Sequence, residues 1–395
     1  MDEDVQRQIE GDVFSQLQPA PGRWTSIGDW RADAGMLRGR FVYPNVAHAA
    51  SMLPYGIEQL AGRRLALILP GDAVPVTIHR AAFLDADIAV YRKADGNFAA
   101  VPVPSMDESV RWYGELGGLS TLNDVDAFEG PGWLVGLIDW LESRRVERIR
   151  RSQYWAWHYR GRQVLQARRI RNGYSLVAGV AYTSPREDQP APIRLTIAAD
   201  EEPDEATQAR LRTHIDEAIE RRRTGDDRDH REHLLQAALG ISPSLLGMQE
   251  LHREFPAWRP SLDSVAGRGF IDFLGVDIDG GLHVVETKIG PDHMLGVQGI
   301  DYWAWVTAHK QDIARQVGAD PDGPSVQLHY VVACKQGQLM HAAAAETVRL
   351  LRAAIPWRCH VIEDWNTVDR PGQLLRPHAL HGIGPRTVPD RFRCE

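Results

Sequence analysis

Three polar residues stand within apolar, strand-like segments of the chain: Asp272, Glu286 and Lys288. Asp272 belongs to GFIDFLGVDI, and Glu286 and Lys288 belong to LHVVETKI. Two carboxylates can hold a hard divalent cation such as Mg²⁺, which prefers oxygen ligands and retains waters. Such a cation polarises a phosphate oxygen and lowers the pKa of a bound water, and a lysine can offset the charge that builds on phosphorus. These residue types therefore indicate hydrolysis of a phosphodiester.

The two segments are typical of a β-hairpin. Side chains alternate along a strand, so Glu286 and Lys288 share a face. A three-residue loop over 279–281 pairs Asp272 with Lys288 and puts all three groups on one face, whereas a loop of the two glycines alone turns Asp272 to the opposite face. Three-residue loops usually carry a left-handed glycine, so we predict the three-residue loop. Charged groups inside an apolar strand are costly unless they are paired or bind a metal.

Helices and strands alternate around this hairpin. A helix is predicted in HREHLLQAALG, followed by a strand in QELHREFP, the hairpin, a long helix over 292–317, a strand in SVQLHYVVAC, a helix in AAAAETVRLLRAA and a strand in RCHVIEDW. This order predicts a mixed sheet that is flanked by helices.

The hairpin and its neighbours resemble a known superfamily. FIDFLGVDIDGGLHVVETK resembles the core of the PD-(D/E)xK nucleases, although Ile271 stands where the literal motif has Pro. Gln298 and Tyr302 resemble the Q-x-x-x-Y motif of RecB-like members and of the NucS mismatch endonucleases, and at i and i+4 they share a helix face. The segment REHLLQAALG resembles the family's first helix, in which Glu232 is the matching acid.

The resemblance implies a site and a fold. It implies a Mg²⁺ or Mn²⁺ ion held by Asp272, Glu286, the backbone carbonyl of Thr287 and Glu232. Lys288 would then position the attacking water, and Gln298 and Tyr302 would face the DNA backbone or the metal. On the preceding strand, Glu250 and Glu254 compete with Glu232 for its place.

We therefore predict an α/β protein with a restriction-endonuclease-like PD-(D/E)xK domain over residues 226–365. A separate N-terminal α+β domain is predicted over 1–225, with an irregular tail over 366–395. In the N-terminal part we predict strands at 64–70 and 86–92, a helix over 133–149 and a hairpin over 163–182 around Asn172-Gly173. The acidic run 226–230 is interpreted as a linker.

Arginine is concentrated between residues 144 and 171. This window holds ten arginines and one acidic residue, in a chain whose net charge is −8. Arginines neutralise phosphates, and tryptophans stack on unpaired bases. Six residues are predicted as nucleic-acid contacts: Arg150, Arg151, Trp155, Trp157, Arg160 and Arg162. The alternative is that these side chains solubilise the surface or pair with acidic neighbours.

Other features of the chain exclude several classes of protein. The three cysteines are far apart and make neither a disulfide framework nor a zinc signature. There is no long apolar segment, and the acidic N-terminus has no signal-peptide pattern, so we expect a cytoplasmic protein with no membrane association.

The expected function is metal-dependent cleavage of DNA, with RNA not excluded, in DNA repair or in defence against foreign DNA. Two alternatives stay open at this point. The domain could bind nucleic acid without catalysis, or it could stay dormant until a partner or ligand activates it. A protein partner or a second copy of the chain would bind through the N-terminal domain.

Overall fold

The computed structural model describes most of the chain in a mixed α/β fold. The described residues are 18–19, 28–32, 35–42, 46–94, 97–122, 130–144, 146–151, 154–179, 191–224, 231–262, 266–333, 340–362 and 380–383. They form three sheets with helices packed between and around them. Among these residues, no helix is long and apolar enough to span a membrane.

The first sheet has six strands in sequence order. They are β1 (Gln18–Pro19), β2 (Gly28–Ala32), β3 (Met36–Phe41), β4 (Arg64–Leu69), β5 (Ile88–Ala94) and β6 (Asn97–Val101). The helices are α1 (Met52–Glu58), α2 (Val74–Ala81) and α3 (Met106–Glu115). The pairs β3–β4 and β4–β5 are parallel, and the others are antiparallel. Strands β4 and β5 confirm the two strands predicted in this part of the chain.

The middle sheet is antiparallel throughout and has a hydrophobic core of its own. Its strands are β7 (Glu147–Arg150), β8 (Trp155–Tyr159), β9 (Arg162–Ile170), β10 (Gly173–Ala178) and β11 (Ile193–Ala198), and its helices are α4 (Gly132–Glu142) and α5 (Glu205–Thr224). The β9–β10 pair confirms the predicted hairpin. The predicted helix over 133–149 is too long. The segment Glu147–Arg150 forms the strand β7 instead, which pairs with β8 and buries Ile149.

The third sheet again has six strands. They are β12 (Glu250–Pro260), β13 (Ala266–Val276), β14 (Leu282–Ile289), β15 (Gln327–Ala333), β16 (Trp357–Ile362) and β17 (Leu380–Ile383). Helix α6 (Arg231–Ile241) covers one face, and α7 (Leu295–Ala308), α8 (Lys310–Val317) and α9 (Ala342–Arg349) complete this part. A central mixed sheet flanked by helices is therefore confirmed.

Two details of the third sheet differ from the sequence-based prediction. The long helix predicted over 292–317 is divided at His309, whose φ of −108° and ψ of 16° leave the helical region. In the predicted irregular tail, Leu380–Ile383 pairs antiparallel with β16.

The first and third sheets share one topology. In each, three antiparallel strands lead through a helix to a parallel strand, then through a second helix to another parallel strand and an antiparallel sixth. The connecting helices of these two copies of the topology pack crosswise, α1 on α9 and α2 on α7. A reciprocal contact joins equivalent loops, since Asp85 N–H donates to the Leu350 carbonyl at 2.6 Å and Arg352 N–H donates to the Phe83 carbonyl at 3.0 Å. Such reciprocity is typical of a two-fold arrangement.

One hydrophobic cluster fills the space between these two sheets. It draws buried residues from 30–122 and from 255–361. The first sheet therefore shares its core with the third, and the predicted division into domains over 1–225 and 226–365 stays a prediction. The boundary predicted after residue 225 and the linker at 226–230 lie outside the described residues.

Candidate metal centre

The hairpin loop between β13 and β14 has five residues, not the predicted three. Val276 pairs with Leu282, which leaves 277–281 as the loop. The carboxylate of Asp277 closes it, because its Oδ1 accepts the N–H groups of Asp279 at 3.0 Å and Gly281 at 2.7 Å. An aspartate side chain that caps its own turn in this way stabilises a longer loop.

The longer loop shifts the strand register by two residues. Phe273 pairs with Val285, so Asp272 lies opposite Glu286 and not opposite Lys288 as predicted. A two-residue shift preserves the alternation of faces, so the predicted grouping of the two carboxylates survives the wrong pairing.

The β13–β14 pairing ends before Asp272, and its side chain reaches across to the neighbouring strand. Asp272 Oδ2 accepts two hydrogen bonds from Thr287, one from the backbone N–H and one from Oγ1, both at 2.7 Å. Burial raises the pKa of Asp272, and the two Thr287 bonds oppose this shift. The carbonyl of Thr287 as a metal ligand stays a prediction.

Glu286 is the most deeply buried carboxylate of the group. The residue is 4% exposed, and its Oε1 has no hydrogen-bond partner among the described residues. Burial and then the neighbouring Asp272 raise its pKa well above the ordinary value. A buried carboxylate without a donor is costly, so this oxygen is suited to a cation.

Lys288 lies at the end of β14 among acidic side chains. Its Nζ donates to Glu232 Oε1 at 3.3 Å and lies 3.9 Å from Asp292 Oδ2. Burial alone would lower the pKa of Lys288, but the charges of Glu232, Asp272 and Asp292 raise it. The pKa of Glu232 is raised by burial, against the effect of Lys288. The helix α6 therefore brings its predicted glutamate to the predicted lysine.

The donor set fits a Mg²⁺ or Mn²⁺ ion. Within the described part of the chain, no three or more His, Cys, Asp and Glu side chains lie together in a group that could hold a metal ion by themselves. Mg²⁺ does not require one, because it keeps several waters and often uses only one or two carboxylates. The unpartnered oxygen of Glu286 beside Asp272 meets that requirement.

Helix α7 brings the two predicted residues of the Q-x-x-x-Y motif to this region. Tyr302 is 4% exposed, and its pKa is raised by burial and by the charge of Glu286. The strand β13 makes room for it at Gly269, where a Cβ would lie 2.6 Å from the Tyr302 hydroxyl. Gln298 is half-buried, and its Oε1 has no partner among the described residues.

The two competing glutamates on β12 are engaged elsewhere. Glu250 is exposed and lies 3.5 Å from His252 Nε2. Glu254 forms ion pairs with Arg151 and Arg253. Neither contacts Lys288, whereas Glu232 does, and the role of Glu232 as a metal ligand stays a prediction.

Three residues near the centre were missed by the sequence reasoning. Asp292 follows Lys288 by four residues and lies beside its ammonium group. Arg259, on β12, is exposed, and its charge acts on Glu286 and Tyr302. Gln236 is buried on α6 and contacts Thr287. Spacing on a helix face could have found Gln236, four residues after Glu232, but no signal pointed to Arg259.

Two of the predicted nucleic-acid contacts are buried. Trp157 is 0% exposed, and its Nε1 donates to Glu142 Oε1 at 3.0 Å. Arg151 is 5% exposed, pairs with the carboxylate of Glu254 and donates to the Glu254 carbonyl at 2.6 Å. In this conformation neither side chain offers a surface to nucleic acid, which corrects the prediction for both.

The other four predicted contacts are placed less decisively. Trp155 and Arg162 are half-buried. The guanidinium of Arg160 lies 5.9 Å from the ring of Tyr159 and donates to the Arg223 carbonyl. Arg150 belongs to β7, and its side chain lies outside the described atoms. Among the described side chains of the window, Arg168 and Arg169 at the end of β9 and Arg171 just after it are exposed.

Comparisons with protein-family models, curated proteins and solved structures found no match to this chain. The likeness to PD-(D/E)xK nucleases therefore stays a resemblance in motifs. The geometry adds to it a mixed sheet, the buried carboxylate of Glu286 with the half-buried Asp272 near it, and a lysine at the end of the same strand as Glu286.

Proposed function

We propose that this protein is a metal-dependent nuclease of the restriction-endonuclease-like fold that hydrolyses phosphodiester bonds in DNA. One observation carries the proposal: Glu286 is buried beside Asp272 with an oxygen that no described donor satisfies. A lysine two residues further along the same strand completes the arrangement. Its chemistry is that of phosphoryl hydrolysis.

Each residue has a distinct task in this proposal. Asp272 and Glu286 would hold Mg²⁺ or Mn²⁺, with the Thr287 carbonyl and Glu232 as further oxygen donors. When bound, the ion supplies Lewis-acid polarisation of the phosphate and lowers the pKa of water. Lys288 holds the attacking water and offsets the negative charge that builds on the phosphate oxygens. Its ion pair with Glu232, at 3.3 Å, fixes the position of the ammonium group.

Tyr302 and Arg259 add to the same proposal. Arg259 is exposed and close enough for its charge to act on the buried carboxylate, so it is suited to binding the polyanionic backbone. The phenol of Tyr302 stays protonated because burial and Glu286 raise its pKa. It can therefore donate a hydrogen bond to a phosphate oxygen.

Purified protein incubated with nucleic acid tests this proposal. Supercoiled, linear and single-stranded circular DNA, and a matched RNA, are each combined with Mg²⁺, Mn²⁺ or EDTA. We expect cleavage of DNA that requires the metal and that is lost in Glu286→Ala and Lys288→Ala. The matched control is Lys310→Ala, since Lys310 donates to the Gly323 carbonyl far along the chain from the centre.

The outcomes separate the nuclease from its alternatives. Metal-independent binding of DNA that Lys288→Ala leaves unchanged, with no cleavage of any substrate, would favour a binding module. Cleavage that appears only after a cell extract or a ligand is added would favour a dormant nuclease. Metal-dependent cleavage of RNA alone would retain the chemistry and change the substrate.

A further inference from the structure

A chain of hydrogen bonds leads away from the candidate centre into the protein. The Oγ1 of Thr287 donates to Asp272 Oδ2 at 2.7 Å. Gln236 Nε2 donates to that same Oγ1 at 3.2 Å, and Arg253 Nη2 donates to Gln236 Oε1 at 3.2 Å. Four side chains from three strands and a helix are thus joined in one line.

Arg253 connects this line to the middle sheet. Its Nη1 donates to Glu147 Oε2 at 3.0 Å, and its Nη2 donates to the Gly161 carbonyl at 2.9 Å. Glu147 begins β7, and Gly161 lies in the turn between β8 and β9. The side chain of Arg253 is 1% exposed, so these bonds form away from water.

The chemistry of the donors fixes the direction of every bond. A guanidinium can only donate, so the amide oxygen of Gln236 must face Arg253. The amide NH₂ must then face Thr287, and the hydroxyl hydrogen of Thr287 is left for Asp272. Bonds aligned in one direction polarise one another, and here they end on a carboxylate.

Three of the four members of this chain are shielded from solvent, and Asp272 is half-buried. Thr287 is 0% exposed, Gln236 is 3% exposed and Arg253 is 4% exposed. A buried polar group that loses its partner has no water to replace it. Each link is therefore held in its orientation by the next.

We propose that Thr287 and Gln236 are positioning residues that orient the Asp272 carboxylate for the metal, and that Arg253 ties this orientation to the middle sheet. The inference rests on the proposed function, because it concerns the same carboxylate. It goes beyond that function by giving the middle sheet a part in assembling the centre. Partners of metal ligands commonly change metal affinity by 10–100-fold when they are removed.

Mn²⁺ affinity measured by calorimetry or by electron paramagnetic resonance, without nucleic acid, tests the proposal directly. Thr287→Val keeps the shape of the side chain and removes the donor, and we expect Mn²⁺ binding to weaken by roughly 10–100-fold. Thr287→Ser keeps the hydroxyl and should restore binding to near the wild-type value. Gln236→Met should weaken binding by about 10-fold. Glu147→Gln should produce a smaller change in the same direction.

Thr77→Val is the matched control. Thr77 is 2% exposed, and its Oγ1 donates to the Ala73 carbonyl within its own helix at 2.9 Å. The same substitution there removes a buried hydroxyl without touching the chain, so Mn²⁺ affinity should stay unchanged. In cleavage assays, Thr287→Val should lower kcat and leave KM for DNA unchanged, because it displaces a metal ligand and not a substrate contact.

The outcomes distinguish this inference from the proposed function. Mn²⁺ binding that needs Glu286 but is unchanged in Thr287→Val and Gln236→Met would overturn the positioning role and leave the nuclease proposal standing. Equal weakening in Thr287→Val and Thr287→Ser, with no rescue by the hydroxyl, would also overturn it. Absence of Mn²⁺ binding in the wild-type protein would overturn both.

Discussion

In the first sheet, an indole ring fills the place that the candidate metal centre takes in the third. The two sheets can be matched by their parallel strands, since Arg64 and Gln327 each begin the central strand. Trp30 and Gly39 then stand where the third sheet has Asp272 and Glu286. A Cβ at Gly39 would overlap the ring of Trp30, so the indole occupies that space.

The two sheets also differ in the polarity of the residues on their other faces. The third sheet carries His283 and His329 where the first carries Met36 and Ala66. Both histidines are buried and hydrogen-bonded to each other at 3.0 Å, whereas the first sheet has an apolar cluster on that face. The third sheet therefore carries polar groups at positions where the first sheet carries apolar ones, and the strand order is the same.

This difference teaches that the topology does not need the buried charges. A sheet with the same six-strand order is built around Trp30 and Leu67 with no carboxylate at that place. Buried charges lower stability unless they are well paired. Their presence at the matched place in only one of the two described sheets therefore favours a chemical task.

The largest expected effect is the loss of cleavage when the carboxylate of Glu286 is replaced by an amide. Glu286→Gln should reduce metal-dependent cleavage by about 10³-fold, because a metal ligand and its charge are lost. The same change should raise the free energy of unfolding in EDTA by about 1 kcal/mol, since a desolvated carboxylate disappears. Cleavage rates and thermal denaturation of both proteins check this. Wild-type cleavage by the variant would remove Glu286 from the mechanism.

The second prediction concerns the bond between the two copies. Arg80 from the first copy donates to Asp301 of α7 at 2.6 and 2.9 Å, and Tyr113 donates to the same carboxylate at 2.6 Å. Arg80→Met leaves that carboxylate buried without its cation and should lower the free energy of unfolding by about 3–5 kcal/mol. Denaturant unfolding should show a single transition for both copies, because they share one core.

Arg315→Met, in an exposed pair with Asp312, is the control and should change the free energy of unfolding little. Two separate transitions would mean that the copies fold independently.

The sequence was sufficient to predict most elements of the third sheet, whereas the residues of its centre stay a prediction. Alternation along the strands grouped Asp272, Glu286 and Lys288, and the resemblance to a known superfamily supplied Glu232. Those signals are local, so they survive an error of two residues in the register. The loop length was wrong because the side chain of Asp277 closes the turn, and that contact is invisible to a glycine-based rule.

Long-range relations were not readable from the sequence. The first and third sheets share a topology but no recognisable sequence repeat, since Trp30 and Gly39 stand at the positions of Asp272 and Glu286. The predictions for Arg151 and Trp157 were wrong for the same reason, because the burial of Arg151 depends on Glu254 from a distant strand. Charge density predicted a basic surface, but only tertiary contacts decide which arginines stay exposed.

Two glycines sharpen the comparison, because one packs against Trp30 in the first sheet and the other against Tyr302 beside the third. Gly39→Ala should overlap the rigid ring of Trp30 and lower the free energy of unfolding by about 1–3 kcal/mol, with metal binding retained. Gly269→Ala should displace the Tyr302 hydroxyl, which lies 2.6 Å from the added Cβ. We expect it to reduce the cleavage rate and to change the melting temperature little. Parallel measurements of melting temperature and cleavage rate check both. Equal loss of cleavage in the two variants would contradict the assignment of the centre to one copy.

The last prediction concerns the pH dependence of three buried histidines in the third sheet. His329 is linked to His283 at 3.0 Å and to His360 at 2.9 Å, and burial lowers the pKa of His329 to about 2 and that of His360 to about 4. The unfolded chain protonates these rings near pH 6.5, so it binds more protons than the folded chain below that pH. The stability they contribute is thus complete above pH 6.5 and is lost as the pH falls toward 4, by about 1.4 kcal/mol per pH unit for each ring.

The raised pKa of the Glu286 carboxylate changes stability with pH in the opposite direction, so the measurement is made in Glu286→Gln. In that background, adding His360→Gln should reduce the slope of unfolding free energy against pH between 6.5 and 4.5, and an unchanged slope would show that His360 is not buried in its neutral form.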